Sequence, residues 1–289
     1  MLDIPTEIER LCVEIFISDF VLEYPIFPRK LPPVVLVCQR FKDWCYPYLY
    51  RSITVHHSFQ RKTRFLANLS ILRQTFVESP RLALLVQEFI VPSSYFEDFV
   101  KILPLCLNLV SLLAWDEELS ASDLSNNRAL RRLSCHPMIF PQLTRGAPLP
   151  QLLLQLTHLE ILSPPEDSST WYSVIARLDN LTHFFTELPD PDDTPLEPLV
   201  SHLPPNLRVC ILCAWIRVDD PARVKEIASG QVDQRIVLLS DAHVDLEVPH
   251  IFLRHSKISI DWGRYWAGES YWDKAELIIK NRTTGNAVQ

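Results

Sequence analysis

Glycine is scarce in this chain, with 5 residues in 289. A backbone that must approach a phosphate or cofactor closely generally needs glycine, so phosphate-cradling loops have almost no material here. Neither G-x-G-x-x-G nor a P-loop run occurs. An excess of positive charge is missing too. The 28 Lys and Arg stand against 35 Asp and Glu, a net charge of −7. That argues against nucleic acid as the main partner, because phosphate binding draws most of its affinity from clustered cations. No apolar run approaches the roughly 18 residues a membrane span needs. The acidic start Met1-Leu2-Asp3-Ile4 lacks the regions of a signal peptide. The 7 cysteines, an odd number in mostly apolar settings, read as reduced, buried thiols. These features together lead to the expectation of an intracellular protein, cytoplasmic or nuclear, that binds neither membrane nor nucleic acid.

Catalytic motifs are equally wanting. There is no G-x-S-x-G and no H-E-x-x-H. Cys210-Ile211-Leu212-Cys213 is a C-x-x-C, but it lies in an apolar run without a second pair at zinc spacing and reads as structural thiols. His56-His57 reads as a loop pair. Asp190, Asp192 and Asp193, set among prolines, read as a stiff solvated connection. The basic side chains Arg61, Lys62, Arg64 and Arg73 read as the wet face of a helix. No catalytic residue, metal ligand or cofactor is expected, and the reading is that of a non-enzyme.

Hydrophobic residues, by contrast, make up 47% of the chain, and 23 prolines punctuate it at short intervals. Frequent stops with few flexible joints fit a succession of small rigid units. From Ser58 onward one pattern returns. Phe96, Phe99, Val100 and Leu103 lie at i, i+3, i+4 and i+7, as do the sets beginning at Leu149, Trp171 and Leu196. The spacing predicts helices at each. Ser94 with Glu97 forms a capping box before the first of these. Ser58 to Phe76 reads as a longer helix.

Short strand-like runs follow these helices: Leu82–Val86, Leu109–Leu113, Leu159–Leu162, Leu181–Phe185 and Leu207–Leu212. Leu130–Leu133 and Ile236–Leu239 extend the series. The leading residues Leu109, Leu130, Leu159, Leu181 and Leu207 follow one another at 21, 29, 22 and 26 residues. Crossover units of a doubly wound sheet usually need about 30 residues or more, whereas a leucine-rich repeat puts one strand and one helix into each turn of this length. The expected fold is therefore α/β, an irregular leucine-rich-repeat solenoid lacking a regular asparagine after each strand.

The N-terminal part differs. Ile8, Leu11, Cys12, Ile15 and Phe16 place one apolar stripe on a helix over residues 4–16. Val34, Val37, Cys38, Phe41 and Trp44 do the same on a second helix, which Pro47 should end. Ile4-Pro5-Thr6-Glu7-Ile8, the block Leu36-Val37-Cys38-Gln39-Arg40-Phe41 and the block Leu49-Tyr50-Arg51-Ser52-Ile53 together resemble an F-box, in the form abundant in mushroom-forming fungi. Two departures are Ile4 in place of leucine and a longer, proline-rich segment from Ser18 to Pro33.

The resemblance implies docking on a Skp-family adaptor and through it membership of an SCF-type cullin-RING ubiquitin ligase, with a protein substrate held by the repeats. It carries the adaptor-binding role to Ile4, Pro5, Ile8, Leu11, Leu36, Val37, Cys38 and Phe41. Trp44, Leu49 and Tyr50 would fasten the unit to the first repeat. The competing reading is an interaction scaffold whose F-box-like helices only cap the solenoid.

The C-terminal segment is aromatic and is followed by a helical run from Lys274 to Lys280. Trp262, Arg264, Tyr265, Trp266, Tyr271 and Trp272 read as either the solenoid's terminal cap or a substrate patch, since Trp, Tyr and Arg dominate binding hot spots. The expected division is residues 1–53 for the F-box-like unit, 54–280 for the solenoid with its cap, and 281–289 for a tail.

Overall fold

The computed structural model describes residues 5–23, 38–55, 62–91, 96–115, 119, 122–136, 149–161, 168–188, 196–214, 221–240, 249–252 and 270–284. Among them the strands follow one another in chain order. A doubly wound sheet reverses its strand order at a switch point; no reversal occurs among the described strands, so the α/β expectation holds and that alternative falls. The chain divides into two compact units, residues 1–112 with 123–129 and residues 113–122 with 130–289.

In the first unit α1 spans Thr6–Glu23 and α2 spans Gln39–Leu49. Pro5 sits just before α1, and its carbonyl accepts from the amides of Ile8 (2.9 Å) and Glu9 (3.1 Å). Pro47 does not end α2 as expected. It lies in the last turn, and Tyr50 N–H still closes on Tyr46 O at 3.0 Å. β1 (Ser52–Thr54) pairs in parallel with β2 (Glu88–Val91), placing Ile53 opposite Phe89. Between them run α3 (Lys62–Glu78) and α4 (Pro80–Ala83).

The expected strand Leu82–Val86 is thus a helical turn, and the strand begins at Glu88. Pro80 in the first turn fixes a helical φ, and an unbroken apolar run cannot by itself tell strand from buried helix. α5 (Phe96–Ile102) passes into a 3-10 turn, Leu103–Leu105, before β3 (Ser111–Ala114). Phe99 of α5 meets Phe89 with ring centroids 5.3 Å apart. Ser94 of the expected capping box lies outside the described residues.

The second unit carries β4 (Arg132–Cys135), α6 (Gln151–Leu154), β5 (His158–Ile161), α7 (Ser168–Ile175) and β6 (His183–Glu187). It continues through α8 (Glu197–Ser201), β7 (Val209–Ala214), α9 (Pro221–Ser229), β8 (Ile236–Ser240) and β9 (Ile251–Phe252) to α10 (Tyr271–Thr284). All strand pairs from β4 to β9 are parallel. In-register pairing aligns Leu133, Leu159, Phe184, Cys210 and Ile236 in one buried row, and because side chains alternate along a strand this row occupies one face of the sheet.

β3, β4, β6 and β7 start two residues after the leading leucines Leu109, Leu130, Leu181 and Leu207, whereas Leu159 lies inside β5 as read. Leu109, Leu181 and Leu207 close turns instead: Leu109 N–H reaches Cys106 O at 3.1 Å, Leu181 N–H reaches Leu178 O at 2.9 Å and Leu207 N–H reaches Pro204 O at 3.0 Å. The residue before each of them does a second job. Asn180 Nδ2 donates to Leu154 O (2.7 Å) and Asn206 Nδ2 to Asp179 O (2.8 Å), while in the first unit Asn108 Nδ2 donates to Leu84 O (2.8 Å). Asparagine before the strand thus ties a turn to the one preceding it, and at Leu154 O and Leu84 O it satisfies a carbonyl that a helix end leaves open.

Candidate functional site

Two surfaces stand out, one in each unit. In the first unit α1 packs on α2 through Val13 and Cys45, with Phe41, Trp44, Tyr48 and Leu49 gathered around them. Phe41 stacks on Trp44 at 5.4 Å and Arg40 lies over the Trp44 ring at 5.2 Å. Arg40 also pairs with Glu9 across the two helices. Val13 turns inward, so the stripe at i, i+3, i+4 and i+7 turns outward. Ile8 is 48% exposed, Leu11 51% and Ile15 55%, and Cys12 and Phe16 are exposed with them.

Pro5 and Cys38, the latter at the N-cap of α2, are also exposed. Ile4, Leu36 and Val37 lie outside the described residues. Phe41 is half-buried and supports the pair from within. Trp44 and Leu49 pack into the helix pair itself, while Tyr50 reaches Phe76 of α3, with ring centroids 6.1 Å apart.

In the second unit the other face of the sheet carries polar side chains over β4 to β6 and turns apolar at Val209 and Ile211 of β7. The register sets Arg132 beside His158, and His158 beside His183; two residues on, Ser134 stands beside Glu160, and Glu160 beside Phe185. All six are buried. The imidazoles of His158 and His183 stack face to face, centroids 4.1 Å apart and planes within 2°. Trp115 Nε1–H donates to Ser134 Oγ at 2.7 Å.

α10 lies against this polar face. Tyr271 Oη donates to Glu160 Oε2 at 2.6 Å, and Trp272 meets the two imidazoles edge to face at 5.5 and 5.3 Å. One turn on, Glu276 Oε1 accepts from His183 Nε2 (3.2 Å) and pairs with Arg208 (2.9 Å). The buried residues Tyr271, Ala275 and Ile278 recur at i, i+4 and i+7, so one stripe of α10 faces the sheet. Ser270 and Asp273 cap its N-terminus: Ser270 N–H and Oγ–H both donate to Asp273 Oδ2 at 2.9 and 2.6 Å. At its other end Arg282 donates to Ile236 O and Ala228 O, the latter at the C-terminal turn of α9.

Electrostatics follow from this burial. Desolvation holds His158 far below the usual imidazole range, and the His183 ring, Arg132 and Arg208 push the same way. Burial lowers His183 to about 4, with Glu276 opposing. Both rings are therefore neutral near pH 7. A carboxylate only accepts, so His183 carries its proton on Nε2 toward Glu276, and Nδ1 faces Thr182 Oγ1 at 2.8 Å.

The aromatic C-terminal expectation needs correction. Tyr271 and Trp272 are 0% and 1% exposed, so they are anchors of α10 and not an open recognition patch. They cover a sheet face, where a terminal cap was expected. Trp262, Arg264, Tyr265 and Trp266 lie outside the described residues, as do His56, His57, Asp190, Asp192 and Asp193. Cys210 and Cys213 are both buried, and the three-residue step places them on opposite faces of β7; desolvation pushes Cys210 up to about 12. Among the described residues no group of three or more His, Cys, Asp and Glu is placed to hold a metal ion.

Arg132, His158, Glu160 and His183 were not singled out by sequence reasoning, because they are isolated polar letters spread over three short apolar runs. A signal existed: Leu156-Thr157-His158-Leu159 recurs as Leu181-Thr182-His183-Phe184, and only in-register repeats bring such copies together. Among the described residues no helix is long and apolar enough to cross a membrane. No protein-family model matches the chain, and no curated protein matches it significantly.

Proposed function

We propose that the chain is the substrate receptor of an SCF-type cullin-RING ubiquitin ligase. Its N-terminal helix pair acts as an F-box that docks on a Skp-family adaptor, and its strand-helix units form an irregular leucine-rich-repeat solenoid that holds a protein substrate. Ubiquitin transfer belongs to the ligase partners, and this chain positions the target. The observation that carries the reading is the exposed stripe Ile8, Leu11, Cys12 and Ile15 on a helix whose opposite side is packed through Val13. A large apolar stripe left open on a helix marks an interaction surface. A helix that merely capped its own solenoid would bury that stripe, so its exposure favours a partner.

The sequential, parallel strand order supports the solenoid. Over β5 and β6 the polar face is already covered by α10, so substrate contacts in that unit fall on its other surfaces. Co-purification tests the reading. The tagged chain is expected to retain a Skp-family adaptor, and a Pro5→Asp/Val37→Asp chain to lose it; failure of the unaltered chain to retain the adaptor removes the ligase reading.

A further inference from the structure

The seat of α10 is unusual for a permanent core contact. Its aromatic pair meets two stacked imidazoles and a glutamate, where the opposite sheet face offers Leu133, Leu159, Phe184 and Ile236. We propose that the His158–His183 stack is a proton-operated latch: when the rings take up protons, the N-terminal half of α10 lifts from the sheet while the strands stay paired.

Counting the charges around the stack supports this. Among the described residues the charged groups facing the stack include Arg132 on β4, Glu160 on β5, Arg208 just before β7, and Glu276 on α10, with the Tyr271 hydroxyl held by Glu160. Arg132 and Arg208 already bring positive charge to the neutral rings. Protonation of both rings adds two further cations, on planes whose centroids are 4.1 Å apart. Like charges at that distance repel strongly when water is excluded. Glu276 compensates one of them only, because it contacts His183 and is already shared with Arg208.

Lifting α10 admits water and lets each ring titrate normally. Below the ordinary imidazole value of about 6.5 the open form binds more protons than the seated one, so acid favours opening there, by up to about tenfold per pH unit for each ring. Two features keep the motion local. The apolar face of the sheet is untouched by it, and Arg282 tethers the far end of α10 to Ala228 O and Ile236 O.

Hydrogen exchange of the full chain between pH 7.5 and 4.5, corrected for intrinsic rates, tests the latch. Peptides covering Tyr271–Ile279 are expected to lose at least tenfold protection on acidification, while those of β5 to β7 keep theirs. A His158→Gln/His183→Gln chain is expected to lose this pH dependence. Should that double variant fail to fold, Glu276→Gln provides the check: removing the one carboxylate that steadies a protonated His183 is expected to make acid opening more complete. Simultaneous loss of protection in strands and helix, or a pH profile unchanged in whichever variant folds, overturns the latch.

Discussion

Gly230 follows the last turn of α9 with φ at +79°, and a Cβ built there would lie 2.9 Å from Arg282 Nη1. Both the left-handed backbone and the approach of the guanidinium call for glycine. Gly230→Ala is expected to cost about 1–3 kcal/mol in urea unfolding. Arg282 gives its charge to the C-terminal end of α9, where the helix dipole favours a cation, although burial lowers the guanidinium's own proton affinity.

Tyr271→Phe deletes the hydroxyl that Glu160 accepts from and should cost about 1–3 kcal/mol, since a buried carboxylate then loses a partner. The two buried histidines contribute to the pH dependence of stability. The folded value of His183, about 4, lies below its ordinary 6.5, so the unfolded chain takes the proton first. The stability tied to the neutral ring is complete above pH 6.5 and falls as pH drops toward 4, by up to about 1.4 kcal/mol per unit. His158 works in the same direction. Urea midpoints at pH 7 and pH 5 should differ accordingly, and the difference should shrink in His183→Gln.

At the scale of elements, α10 depends on its cap and its stripe. Ser270→Ala removes the hydroxyl from the Asp273 box and should cost about 1 kcal/mol, read as a lowered urea midpoint. The α1–α2 pair divides into residues that hold it together and residues that face out. Val13→Asp places a charge in the contact with Cys45 and should unfold the pair, as followed by circular dichroism, whereas Leu11→Asp should leave helicity unchanged. The i, i+3, i+4, i+7 spacing of α1 was legible in the sequence because it is a local pattern; that this stripe faces outward was not, since the sequence does not show which side Val13 takes. Strand positions were legible to within about two residues. Leu159 lies in its strand, Leu109, Leu181 and Leu207 close turns ahead of theirs, and Leu82–Val86 folds as a helical turn because a short apolar run fits helix and strand alike.

For the whole molecule, the repeat spacing of the leading leucines gave the α/β class, and the sheet's chain order agrees with it. The polar row under α10 could not be derived that way. Its members are scattered from Arg132 to Glu276 and meet only once parallel strands pair in register and the chain returns across them. The proposed role of the exposed α1 stripe is open to titration calorimetry of the purified chain with a Skp-family adaptor. Saturable binding is expected, and Ile8→Asp/Leu11→Asp should weaken it by at least about a hundredfold, at roughly 1.5 kcal/mol per buried apolar side chain, with the melting temperature unchanged. No binding by the unaltered chain, or equal affinity in the double variant, would contradict it.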